Sequence, residues 1–460
     1  MTMLWTDDDL LEATGGRFIT PFAASGVSID TRTLRPGDLF VALVGEGRDG
    51  HDFVTDALAK GAAGAMVHRP VPGAYRLLMV DDTLPALARL GGYARVRTTA
   101  RVIAVTGSVG KTTTKEMLRH VLSAFGSTHA AQASYNNHWG LPLTLALTPL
   151  HAAFCVLEIG MNHPGEIAPL AHIARPHVAV ITTVEKAHIG HLGSIEAIAD
   201  EKAAIMTGLE PGGIAVLPGD SPQFPRLRAA AGAQRILSFG TQPDAAGRLL
   251  DMRADAEGSA ILADIEGREV RFRLNAPGRH MAMNALAALT AAHALGLDPA
   301  AAARALEGFA PLAGRGARRN LAVTGGTALL LDESYNGNGA SIRAALNVLG
   351  LQSGRRRIAV LGDMLELGET GPAEHAGLAE AVVESADLLF ACGPLMRHLF
   401  DAIPADRRGA HAADSLELAA IVAQAVAAGD AVLVKGSLGS RMRRVVEALD
   451  SLMLVPEGAA

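Results

Sequence analysis

The sequence predicts an α/β protein of three domains, on three observations. Its 460 residues correspond to about three domains at roughly 150 residues each. Apolar runs of strand length alternate with helical stretches, the pattern of parallel sheets covered by helices. One of those runs passes directly into a glycine-rich loop and then a helix. Composition agrees with a globular chain: 49% of residues are hydrophobic and 19% charged, in a chain long enough to bury a large core. The charge balance, 41 basic against 47 acidic residues for a net −6, excludes a general binder of nucleic-acid phosphates. Two cysteines, Cys155 and Cys392, exclude a disulfide scaffold and a cysteine-rich zinc site and fit a reducing compartment. The first residues are acidic where a secretion signal is basic and then apolar. No run reaches the ~18 apolar residues of a spanning helix. Met281 to Leu297 is interrupted by Asn284, Thr290 and His293, and Leu418 to Val434 by Gln424 and Asp430. The expectation is a cytoplasmic protein with no membrane span and no nucleic-acid partner.

The first segment, residues 1–97, mixes short strands with helices. Phe40 to Leu43 and Ala65 to Val67 read as strands, and Asp52 to Lys60 as a helix stopped by Gly61. The arginine-bearing stretch Tyr93 to Arg101 reads as a linker. The middle segment, 98–314, opens with the apolar strand Val102 to Thr106. It includes strand runs Phe154 to Glu158 and His177 to Ile181, and closes with an apolar helix from Met283 to Leu295 ended by Gly296. A second junction lies at Ala313-Gly-Arg-Gly-Ala-Arg-Arg319. The last segment, 315–460, alternates the strands Arg357 to Leu361, Leu388 to Ala391 and Ala431 to Val434 with helices, a Rossmann-like alternation.

The strongest local signal is Gly107-Ser-Val-Gly-Lys-Thr-Thr113 between a buried strand and a helix. Gly107 and Gly110 let the backbone amides of Ser108, Val109 and their neighbours turn inward around phosphate oxygens. The helix start adds partial positive charge. Lys111 reaches the β- and γ-phosphates and the Thr112 hydroxyl can ligate magnesium, with Thr113 completing the loop. Val105 stands where the longer Walker A pattern has its first glycine, so the loop is a variant. The middle domain is therefore expected to be a parallel-sheet ATPase domain of P-loop type. A phosphate loop alone does not separate a ligase from a kinase, a switch or a motor. No guanine-specifying Asn-Lys-x-Asp is present, which weighs against a GTPase.

Other candidates have plain alternatives. Glu158 ends a strand at the edge where ligands bind in such sheets; it suits a magnesium ion or merely caps the next loop. His188 follows another strand, but the chain holds 16 histidines. Lys202 lies in a helical stretch, where a solvated lysine is the default. Asn136 and Asn137 sit in a turn-rich segment that suits asparagine on conformational grounds alone. Only six of the 41 cations are lysine, so a lysine marks a position where a compact charge or a neutral amine serves better than arginine.

Taken in order, these motifs resemble the Mur ligase family over nearly the whole chain. Ser28-Ile-Asp-Thr-Arg32, Pro36 to Leu43 and Asp49-Gly-His-Asp-Phe53 resemble its uridine-nucleotide domain, which implies substrate-binding roles for Ser28, Asp30 and Arg32. Asn136-Asn-His-Trp-Gly-Leu-Pro142 resembles its Asn-Asn-x-x-Gly-x-Pro segment. The resemblance implies that Glu158 and His188 hold magnesium and that Lys202 is carbamylated by CO₂ to give an oxygen ligand. It implies that Asn284 lies on the adenine side, and that Arg315 and Asp332 close over ATP from the C-terminal domain. Asp332-Glu-Ser-Tyr-Asn-Gly-Asn338, Gly362-Asp-Met-Leu-Glu-Leu-Gly368 and Lys435-Gly-Ser437 resemble C-terminal motifs of the family. The family's Asp-Asn-Pro-Arg motif for diaminopimelate is absent. Tyr335, Asn336, Asn338 and Lys435 fit the branch that adds a dipeptide.

The implied reaction is ATP- and Mg²⁺-dependent joining of D-alanyl-D-alanine to UDP-MurNAc-tripeptide through an acyl phosphate, by a monomer. The alternatives are a ligase of the same family with another amino acid or dipeptide, and a P-loop nucleotide switch that needs no acceptor.

Overall fold

Three main sheets follow one another along the chain in the computed structural model, which describes residues 3–131 and 134–452. The first has five strands in the order Arg17–Phe18, Leu77–Met79, Gly64–Val67, Asp38–Val41 and Gly26–Ser28. All are parallel except the first, which is an antiparallel edge. Asp38–Val41, two residues earlier than the expected Phe40 to Leu43, and Gly64–Val67 are buried along their whole length, so their apolar residues run on without alternation. Trp5, Leu39, Met66 and Leu78 share a core with Leu87, Leu90 and Ala94 of the helix Thr83–Arg97.

That helix corrects the linker reading of residues 93–101. It runs to Arg97, and the next sheet begins at Arg101. Its arginines misled because they are not solvated. The Arg95 guanidinium donates to the carbonyls of Ala174 and Arg175 and to Glu210, and that of Arg97 lies 3.6 Å from the Trp5 ring centroid. Arginine stems cover apolar surface while their heads satisfy carbonyls.

The second sheet has nine strands. Thr128–Ala130, Phe154–Glu158, Arg101–Thr106, Val178–Ile181, Ile214–Pro218, Arg235–Gly240 and Gly247–Ala254 lie parallel in that order. Ser259–Ile265 and Arg268–Leu274 then extend it as an antiparallel meander, so the expected parallel sheet is mixed at one edge. Those two strands alternate buried and exposed residues, as one-sided strands do. Glu266 and Gly267, both at positive φ, form their two-residue turn. The strands Arg101–Thr106 and Val178–Ile181 send side chains to two cores. The helices Lys111–Ser123 and Arg279–Ala294 pack on one face, and Ile167–Ala174 and Ile195–Ala203 on the other.

The third sheet has six strands, Ala317–Val323, Gly326–Glu333, Asp430–Lys435, Arg356–Gly362, Leu388–Cys392 and Arg408–Ala412, parallel after an antiparallel first pair. Both its faces carry a core. The junction expected at 313–319 is shorter than it reads: Gly314 and Gly316 turn at positive φ, and the strand has begun by Ala317.

No helix among the described residues is long and apolar enough to cross a membrane. Both cysteines are buried, and burial pushes the thiol of Cys155 up to about 11 and that of Cys392 up to about 12, from an ordinary 9.0. Native protein at pH 8 is therefore expected to resist a thiol-disulfide reagent, with both cysteines reacting once denaturant is added. Because the folded values are raised, the stability tied to these thiols is full below pH 9 and is lost as the pH climbs toward 11 and 12. Rapid labelling of folded protein would contradict the buried placement.

Candidate active site

The site is built where parallel strands end and helices begin. Arg101–Thr106 delivers the chain into Gly107, at φ 149°, and Gly110, at φ 85°, caps the helix Lys111–Ser123. Both positions require glycine. A Cβ on Gly107 would lie 1.9 Å from the Thr182 hydroxyl oxygen, and one on Gly110 would lie 2.3 Å from Asn284 Oδ1. Ser108 and Val109 are fastened to the neighbouring strand end: Ser108 N donates to Thr183 O at 2.9 Å and Val109 N to Thr183 Oγ1 at 3.0 Å. The loop is thus rigid before any ligand arrives, and the first amides of the helix are free of intrahelical partners.

Lys111 Nζ folds back to donate to Gly107 O at 2.7 Å. Its ammonium is pushed down by burial and by Arg315, with Glu158 opposing. Thr112 Oγ1 donates to Glu158 Oε2 at 2.7 Å, and Asn136 Nδ2 donates to Oε1 of the same carboxylate at 2.8 Å. Glu158 is 1% exposed, and its two oxygens hold the phosphate loop and the Asn136 segment together rather than capping the next turn.

Lys202 is also 1% exposed, which overturns the solvated reading. Its amine is pushed well below the ordinary lysine value, first by burial and then by Lys111, with Glu201 opposing. Period-3.6 packing put it there: Ile198, Ala199, Lys202 and Ala203 share the buried face of Ile195–Ala203. His188, in left-handed backbone at φ 60°, opens a short helix and sets its Nδ1 against the carboxylate of Glu366 from the third sheet.

The third sheet reaches this site through its first turn. Arg315 Nη2 donates to Ser134 Oγ at 3.0 Å, beside Thr112, and the Arg315 guanidinium lies 4.0 Å from the Tyr335 ring centroid. Asp332, 4% exposed, braces that turn by accepting from Gly314 N at 2.9 Å and Ser334 Oγ at 2.6 Å. Lys435 Nζ donates to Asn336 O at 3.0 Å and Glu333 Oε2 at 3.2 Å. Asn336 accepts from Leu438 N, tying two loops, while Asn338 caps the helix Gly339–Gly350.

The remaining candidates stand apart from the phosphate loop. Asn137 accepts from Gly140 N, which is turn chemistry, in contrast to its neighbour Asn136. Ser28 donates to Asp30 O, and Asp30 takes the Arg32 side chain, which holds the carboxyl below its usual range. Tyr135 and Trp139 pack against the core of the first sheet, so the first domain borders the Asn136 segment.

Four contributors escaped the sequence reading. Thr182 and Thr183 lie at the same strand end that drew attention to His188, and that position was the available signal. Ser134 had only its proximity to Asn136, and Glu366 only its place in the Gly362–Gly368 segment.

Sequence profiles of three domains match this chain in order: the Mur ligase family catalytic domain over residues 23–82, the Mur ligase middle domain over 105–292, and the Mur ligase glutamate ligase domain over 314–438. The UDP-N-acetylmuramoyl-tripeptide–D-alanyl-D-alanine ligase of Bacillus subtilis is 34% identical over 432 residues, which is 92% of this chain and 93% of that protein. The crystal structure of MurF from Acinetobacter baumannii superposes with a TM-score of 0.87 at 30% identity, covering 98% of this chain and 99% of that one. MurF from Thermotoga maritima, solved in complex with ADP, gives 0.78 at 28% identity over 93% and 98% of the two chains.

Proposed function

The chain belongs to the Mur ligase family, and from that premise we propose that it joins D-alanyl-D-alanine to UDP-MurNAc-tripeptide, using ATP, to form the UDP-MurNAc-pentapeptide of peptidoglycan synthesis. Relatives named for that ligation extend across nearly its whole length. The observation that carries the chemistry is the convergence of Lys111, Thr112, Glu158 and Lys202 at adjacent strand and helix ends, with Arg315 reaching in from the next sheet.

In this reading the rigid loop Gly107–Thr113 binds the triphosphate through backbone amides and Lys111. Asn284, packed on Gly110, fixes the loop from behind on the adenine side. The substrate carboxylate attacks the γ-phosphorus and displaces ADP, giving an acyl phosphate; the dipeptide's neutral amine then attacks its carbonyl, loses a proton and displaces phosphate. Among the described residues no three His, Cys, Asp or Glu side chains converge as a metal site. The donors present are nevertheless hard and oxygen-rich, which suits magnesium. Thr112 and Glu158 would hold one ion. His188, through the Nε2 left free by its Nδ1 contact, and a carbamate on Lys202 would hold another. Bound magnesium would supply charge neutralisation between the two anions.

A buried amine whose charged form is disfavoured gives up its proton more readily than an ordinary lysine, and the neutral amine is the form that adds CO₂. Tyr335, Asn336, Asn338 and Lys435 would receive the dipeptide, and Ser28, Asp30 and Arg32 the uridine nucleotide. The domain limits that go with these roles are 1–97, 98–314 and 315–460. Closure of the third domain on the second keeps water from the acyl phosphate.

The test is phosphate release with Mg-ATP, UDP-MurNAc-tripeptide and D-alanyl-D-alanine, each omitted in turn. Release that needs all three, with pentapeptide product by mass, is expected. Replacement of the dipeptide by meso-diaminopimelate or lysine should abolish it. Release indifferent to both peptide substrates would leave a nucleotide switch.

A further inference from the structure

A second contact between the middle and third sheets involves other residues than the Arg315 turn and brings a third-sheet carboxylate to His188. It joins the loop after Val178–Ile181 to the loop after Arg356–Gly362. The Glu366 carboxylate pairs with His188 Nδ1, and Glu366 O accepts from Gly190 N at 3.0 Å. One residue therefore grips the middle domain twice, through side chain and main chain. Lys186 Nζ reaches Glu374 Oε1 at 2.9 Å beside it. Ile189 packs against a core of the second sheet and a core of the third. A Cβ on Gly190 would meet Glu366 O at 3.0 Å and Gly368 N at 3.3 Å, so the two backbones touch closely.

His188 and Glu366 both hold left-handed backbone, at φ 60° and 67°, a conformation that side-chain-bearing residues adopt only where surroundings impose it. The strain sits on the two residues that meet, one from each domain.

We propose that residues 366–368 form a closure latch in which Glu366 orients the His188 imidazole through Nδ1 only when the third domain is shut on the second. This makes Glu366 a positioning residue that couples domain closure to assembly of the metal site, and it rests on the reading of His188 as a magnesium ligand. A carboxylate behind a ligating imidazole fixes its ring orientation and tautomer. Here that carboxylate arrives from another domain, so an open molecule lacks it.

The experiment places fluorophores on cysteines introduced by Arg253→Cys and Leu416→Cys, one on each domain, and measures their separation in ligand-free and Mg-ATP-bound protein. Glu366→Ala and Gly190→Val should both shift molecules to an open separation. Each should lower kcat about tenfold while KM for ATP stays within about twofold. Glu366→Gln, whose amide oxygen can occupy the same place against Nδ1, should retain most of both properties. Unchanged separation or unchanged kcat in the alanine and valine variants overturns the latch. Manganese binding to the ADP-loaded protein, read by electron paramagnetic resonance, separates the two ideas. If His188→Ala binds manganese as the parent does, the metal reading falls, while an opened Glu366→Ala still upholds the latch as a closure contact. If His188→Ala loses manganese and the Glu366→Ala separation does not move, the latch alone falls.

Discussion

Lys202→Ala is expected to lower ligation about a thousandfold, roughly 4 kcal/mol of transition-state stabilisation, and to recover part of it with acetate or formate. The argument begins with burial. Lys202 sits on the inner face of Ile195–Ala203, 1% exposed, where the like charge of Lys111 also acts on it. Burial first, and the Lys111 ammonium second, disfavour its charged form, so the amine gives up its proton more readily than a free lysine. Its folded value lies below the ordinary 10.5. The stability it contributes is therefore full above 10.5 and declines as pH falls through the folded value.

Carbamylation follows the same sign: acid protonates the amine and stops CO₂ addition. Three measurements check this. Activity should fall when CO₂ is stripped and return with bicarbonate. Isotope-labelled bicarbonate should give a carbamate signal in the parent protein and none in the alanine variant. The short carboxylates should rescue only the variant. An alanine variant that ligates at the parental rate, with its melting temperature intact, ends the proposed role.

How much of this was legible beforehand depended on whether a signal was local. The phosphate loop was readable because strand, glycines, lysine and helix are consecutive, and each is needed for the same turn. The lysine count helped with Lys111 and Lys202, since a chain that otherwise uses arginine marks its exceptions. Burial of Lys202 was not readable, because its helix neighbours Asp200 and Glu201 disguise the apolar face. The linker at 93–101 was misread for the converse reason: Arg95 and Arg97 look solvated until the carbonyls of Ala174 and Arg175 and the ring of Trp5 are in place. The antiparallel edge of the middle sheet lies outside the sequence reading, although the alternation of its strands and the Glu266-Gly267 turn are local. The Glu366–His188 contact spans 178 positions and two domains, so no spacing rule reaches it. The family resemblance supplied roles for Arg315 and Asp332, but only the fold supplied the turn that Asp332 braces.

Lys111→Ala is expected to abolish ATP use, with kcat/KM for ATP down at least about a thousandfold. The residue does two things that alanine cannot. Its ammonium is the cation standing at the start of the helix Lys111–Ser123, where the free amides already favour anions. Its bond to Gly107 O at 2.7 Å holds the side chain across the loop mouth, so little rotamer freedom is lost when phosphate arrives. Lys111→Arg should not restore function. The loop is closed on one side by Thr182 and on the other by Asn284, each within 2.3 Å of where a single added carbon would sit on Gly107 or Gly110. A planar guanidinium is wider than the ammonium that fits there.

The stability control runs opposite to the activity. Burial and Arg315 push the Lys111 ammonium down, so removing the charge should relieve a cost, and the variant should melt no lower than the parent. Loss of ATP turnover with retained melting temperature assigns the defect to phosphate binding. Loss of both would mean that Lys111 holds the loop's shape, and an alanine variant that still forms acyl phosphate would remove the lysine from the mechanism.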